Sequence, residues 1–137
     1  MDSLNEKHRQ QAILKPGVSD LLLGPGKDGK DLKAEGLKCA DMTDAQRALL
    51  VDLAGAWVTI LHEISAKPRM EQIKADVKDT YFGWSGPTAG GSAAYFRVQG
   101  PSVVIEYSPH GGTNHIHTIV RELGNDYGKK LLAAKGK

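Results

Sequence analysis

The chain has 137 residues, with 18 Lys plus Arg against 16 Asp plus Glu, for a net charge of +2. A charge this small, with the lysines dispersed except for Lys129, Lys130, Lys135 and Lys137, argues against nucleic acid or an anionic membrane as a partner. Hydrophobic residues at 40% and charged residues at 25% are globular values, and the length suits one domain, 1–137, that buries a core without disulfides.

The N-terminus, Met1 to Gln11, is polar and has no apolar run, so no signal peptide is expected; the cytoplasm and the mature form of an exported protein both fit. Residues 4–14 are expected to form a helix, stopped by Lys15-Pro16-Gly17. Ser19 then caps a short turn over Asp20 to Leu23. Gly24-Pro25-Gly26-Lys27-Asp28-Gly29 lacks the P-loop spacing and reads as a surface turn rather than a phosphate cradle. The lone cysteine, Cys39, can form no internal disulfide and reads as a small apolar residue.

The clearest helical signal runs from Asp44 to about Ser65. Thr43 is a good N-cap with Gln46 three residues on, the capping-box spacing. Leu50, Leu53, Trp57, Ile60, Leu61 and Ile64 recur at helical spacing, so one stripe is expected to pack against a sheet. The stretch is broken by Asp52 and His62 and is too short to cross a bilayer. His62 is expected to be a solvated surface residue. Pro68 is expected to end this helix and open the next, Arg69 to Lys78, whose stripe is Met70, Ile73 and Val77.

From Tyr81 the period becomes alternating. Strands are expected at 81–84, 95–99, 102–108 and 115–122, with turns at 85–92, 109–113 and 124–128 and a short helical tail over 129–135. Short connections favour antiparallel pairing. The expected architecture is therefore α+β: an antiparallel meander of about four strands packed on two or three N-terminal helices.

Alternate residues of a strand share a face. Phe96, Val98, Val103, Ile105, Ile116 and Val120 are expected under the helices, with Phe82 and Trp84 also in the core. The other face then carries Tyr95, Arg97, Glu106, His115, His117 and Arg121, and is expected to be open to solvent or to line a site. Two imidazoles two residues apart, with a carboxylate across a hairpin, match a facial metal triad with open positions. The expected metal ligands are His115, His117 and Glu106, with His110 from the hairpin turn as a fourth. Mixed nitrogen and oxygen donors suit zinc, copper or iron better than calcium or magnesium. Tyr95, Arg97 and Arg121 are the candidates for holding a small-molecule or anionic ligand, although both arginines could pair with Glu106 and Asp126 instead. The leading expectation is a small metal-binding protein or mononuclear metalloenzyme. Alternatives are a non-catalytic ligand-binding module, a homodimeric assembly module, or metal-free acid–base chemistry by His117 with Glu106.

The order of several short motifs adds a resemblance. Phe82-Gly83-Trp84-Ser85-Gly86, Tyr95 through Pro101, Val104-Ile105-Glu106-Tyr107, His115-Ile116-His117-Thr118, Arg121 and Asn125-Asp126-Tyr127-Gly128 together resemble the C-terminal half of the family catalogued as domain of unknown function 3500. The Asp20 to Gly29 and Thr43 to Leu50 segments match its pattern too. Members are about twice this length and often carry export signals. They usually have Arg-Asp-Pro where this chain has Arg121-Glu122-Leu123. The resemblance implies no reaction, but its motifs coincide with Glu106, His115, His117 and Arg121.

Overall fold

The computed structural model describes residues 1–27, 30–122 and 124–135. Asp28 and Gly29, the end of the expected glycine-rich turn, and Leu123 lie outside the described residues.

Helix α1 spans Glu6–Ala12, capped by the Asn5 side chain, which accepts from the His8 N–H. A two-residue strand, β1, spans Leu37–Lys38. Gly36 makes its entry: φ is +101°, and a Cβ there would run into the Phe82 carbonyl. Helix α2 spans Asp44–Val58 and opens with the expected capping box, Thr43 and Gln46 each bonding the other's backbone. Helix α3 spans Glu63–Asp76. Strands β2 (Tyr81–Ser85), β3 (Tyr95–Gln99), β4 (Val104–Pro109) and β5 (Ile116–Arg121) follow, then α4 (Lys129–Lys135). The five strands form one antiparallel sheet in the order β1-β2-β3-β4-β5. The protein is thus an α+β meander fold, with β1 added to the strands expected. No helix among the described residues is long and apolar enough to cross a membrane.

The helical region departs from expectation at one junction. α2 stops at Val58 rather than running to Ser65, and Pro68 lies inside α3 instead of starting it. His62 accepts from the Ile64 N–H and so acts as the N-cap of α3 while staying exposed. The helical period therefore misled over Ile60, Leu61 and Ile64, which are 80%, 47% and 77% exposed. What holds α3 despite the hydrogen bond Pro68 cannot make is packing: Ala66 and Ile73 are buried and Met70 lies against the core.

The sheet's helix-facing side carries Phe82, Val98 and Ile105, buried with Leu50, Ala54 and Val58 of α2. Trp57 packs edge-on against Phe96, with ring centroids 5.6 Å apart, and donates to Thr118 at 2.7 Å. α2 does not reach across all of β5, and Ile116 and Val120 remain 45% and 43% exposed.

The opposite face is polar, as expected, but it is not open. Arg97, Glu106, Ser108, Tyr95 and Arg121 are 1%, 0%, 1%, 2% and 8% exposed. Glu106, Ser108 and Arg121 are bonded by the segment Val18 to Lys27, which lacks regular structure and must find partners for its backbone groups elsewhere. The polar face supplies them. Val18 N–H donates to Ser85, Leu22 and Leu23 N–H to Glu106, Ser108 to the Ser19 carbonyl, and Arg121 to the Leu23 and Lys27 carbonyls. The segment is a strap stitched across the sheet by side chains.

Candidate functional site

The β4–β5 hairpin is closed by the His110 N–H donating to the His115 carbonyl at 2.7 Å. The turn between them needs Gly111 and Gly112, with φ of +69° and +138°, values that side-chain-bearing residues rarely adopt. This closure sets His110 opposite His115, and Ser108 pairs with His117. Since alternate residues share a face, all three imidazoles stand on the strap side. Their rings lie 4.6 Å (His115–His117), 5.2 Å (His110–His117) and 5.7 Å (His110–His115) apart.

The strap brings in a carboxylate. Asp20 Oδ1 lies 3.0 Å from His117 Nδ1, and His117 Nε2 lies 3.1 Å from His115 Nε2. One ligand atom from each of Asp20, His110 and His117 falls within 4.8 Å of the others. The His117 contact, followed by the Leu21 N–H, holds the Asp20 carboxyl below its ordinary value. Both interactions favour the carboxylate. The stabilisation they give is therefore present above the ordinary carboxylate range and is lost as pH falls through the lowered value.

Glu106, the carboxylate expected to complete the triad, is not brought to the histidines. It pairs across the sheet with Ile119, and both its oxygens are taken: Oε1 by Leu22 N–H at 2.9 Å and Tyr95 Oη at 2.6 Å, Oε2 by Leu23 N–H at 2.8 Å. The expected anion-binding set is also turned inward. Arg97 lies beneath the surface with Glu35 at 3.6 Å, and Arg121 is held by Asp126 and the strap carbonyls. Burial, then the bond to Glu106, pushes the Tyr95 phenol up, so it stays a neutral donor. Glu106 and Arg121 hold the strap through their bonds to its backbone. Arg69 and Glu122 form a further ion pair, between α3 and the end of β5.

Asp20 was not among the residues the sequence singled out. The one available signal was its place at the head of a turn in a segment matching the family pattern. Beside Asp20 and His117 runs a cleft of about 620 Å³, lined also by Pro25, Lys27, Ile116 and Ile119. Cys39 is remote from nucleophilic work: it is fully buried, and burial pushes its thiol up to about 12. It is therefore expected to react with a disulfide reagent at pH 8 only on unfolding. Rapid stoichiometric labelling of the folded protein would contradict that burial.

No curated protein and no solved structure matches the chain significantly. A family model described as Protein of unknown function (DUF3500) matches residues 1–129, nearly the whole chain, and the chain belongs to that family.

Proposed function

We propose that the protein binds a single transition-metal ion, zinc, copper or iron, through Asp20, His110 and His117, with His115 as a further donor. The observation that carries this reading is the convergence of three imidazoles and a carboxylate from two distant parts of the chain. Around a metal with bonds of about 2.0–2.1 Å, tetrahedral ligand atoms stand about 3.3 Å apart. The 3.1 Å spacing of the two Nε2 atoms is already close to that, while Asp20 contacts the other ring nitrogen of His117, Nδ1, and would reach the same ion by swinging away from it. Side-chain rotation at the exposed His110 and Asp20 supplies the remaining closure. Nitrogen and oxygen donors in this ratio disfavour calcium and magnesium. With Asp20, His110 and His117 bound, the fourth tetrahedral position would be open, the condition for a mononuclear metalloenzyme; with His115 bound as well it would be closed.

A chelator-competition titration of zinc tests the ligand set. His117→Ala is expected to lose measurable site binding. Asp20→Asn is expected to weaken it about 10- to 100-fold, the usual cost of losing a carboxylate that ligates or orients an imidazole. Wild-type affinity in both variants would remove the site from consideration.

The same contacts support a second reading, a metal-free relay in which Asp20 orients His117 and His117 exchanges a proton with His115. It predicts full function in protein stripped of metal.

A further inference from the structure

β5 is the last strand of the sheet, and among the described residues no strand pairs with its outer side. The bond from His110 N–H to the His115 carbonyl fixes the phase of the β4–β5 ladder. Bonded and non-bonded pairs alternate in an antiparallel ladder. His117, Ile119 and Arg121 therefore turn their backbone groups toward β4, while Ile116, Thr118 and Val120 turn theirs outward. Pro109 opposite Ile116 fits this phase, since a residue without an N–H belongs at a non-bonded position.

Edge strands are ordinarily protected by a lysine, a proline, a bulge or a covering loop. Between Ile116 and Val120 there is no such residue, and the β4–β5 pairing runs through it without a bulge. Ile116 and Val120 are 45% and 43% exposed on the side of the sheet that α2 leaves uncovered, and Val120 shares a cleft there with the exposed Leu61. Along the outer edge run two clefts of about 620 and 500 Å³, walled by Gly24 and Pro25 of the strap. They leave room for another strand.

We propose that this edge pairs with β5 of a second copy of the chain, antiparallel, across a two-fold axis at Thr118. Outward-facing backbone must meet outward-facing backbone, and this centre satisfies that rule along the whole strand. Thr118 faces the partner subunit's Thr118, and Ile116 faces the partner subunit's Val120. Each bonded pair exchanges two hydrogen bonds, so the three pairs give about six. All are β-branched pairs, which sheets favour. Ile116, Thr118, Ile119 and Val120 carry no charge, so self-pairing meets no like-charge repulsion among them. One patch serving both subunits is what a closed two-fold dimer requires. The result is a continuous sheet with both candidate metal sites on one face. The dimer does not depend on metal.

Sedimentation of the full chain from about 5 to about 500 µM tests this, since self-association must depend on concentration. A dimer is expected. Val120→Lys and Ile116→Lys are each expected to weaken it about tenfold or more, while Leu49→Lys, on α2 and more exposed than either, leaves it unchanged. In the wild-type dimer the Ile116, Thr118 and Val120 amides are expected to exchange more slowly than in dilute monomer. A monomer at every concentration overturns the proposal and leaves the edge to a strand of some other chain. So does a dimer that both lysine variants leave intact. Should either variant fail to fold, the exchange measurement decides: fast exchange at those amides within a dimer overturns the proposal.

Discussion

Glu106→Ala is expected to destabilise the protein by about 3–5 kcal/mol, the order expected when several buried donors lose their acceptor together. The carboxylate is fully buried and accepts three hydrogen bonds, from Leu22, Leu23 and Tyr95. Alanine leaves two backbone N–H groups and a phenol without an acceptor, each costing about 1–3 kcal/mol if it stays buried. It also removes a carboxylate from the position directly across the ladder from the buried Arg97 guanidinium, whose ion pair is with Glu35 at 3.6 Å. The strap relieves part of this by detaching, so urea denaturation reports the loss and amide exchange at Leu22 and Leu23 reports the detachment. Glu106→Gln keeps an acceptor but not the charge and is expected to cost about half as much. A loss below about 1 kcal/mol for the alanine variant would mean that the strap does not depend on Glu106.

Arg121→Ala is expected to cost about 3–5 kcal/mol, the range for removing one partner of a buried ion pair. The guanidinium joins three elements: Nε and Nη2 reach Asp126, and Nη1 donates to the carbonyls of Leu23 and Lys27. Its removal strands the buried Asp126 carboxylate and frees the C-terminal end of the strap. Arg121→Lys is not expected to rescue it, because one ammonium cannot reproduce a fork that serves a carboxylate and two carbonyls together. Thermal denaturation of both variants checks this. Glu106 and Arg121 hold the same strap, so the double variant is expected to lose less than the sum of the singles.

The local chemistry of the fold was legible. Thr43 and Gln46 announced the start of α2, and strict alternation from Tyr81 onward gave the strands and the correct division of their faces. β1 was not legible because Leu37-Lys38 is too short to show a period. The α2–α3 junction was hidden because Ile60, Leu61 and Ile64 continue a helical spacing that the backbone abandons at Val58.

The site was half legible for a different reason. His110, His115 and His117 could be grouped because a hairpin is local, and its register follows from alternation and the turn. The carboxylate could not be chosen that way. Glu106 sits on the neighbouring strand and the same face, so spacing favoured it over Asp20, which is 97 residues away from His117 in the chain. Nothing periodic marks the strap, whose course is set by the side chains of Ser85, Glu106, Ser108 and Arg121. The same polar residues that suggested a binding face instead bind the protein's own backbone, and through it they hold Asp20 against His117.

The Asp20–His117 cluster is proposed to hold a metal ion. Elemental analysis of untagged protein, reconstituted with zinc and desalted, tests it most directly beside the Asp20→Ala/His117→Ala variant. About one equivalent of metal per chain, absent from the double variant, is the predicted result. No bound metal in the wild type, or the same content in both proteins, would contradict it.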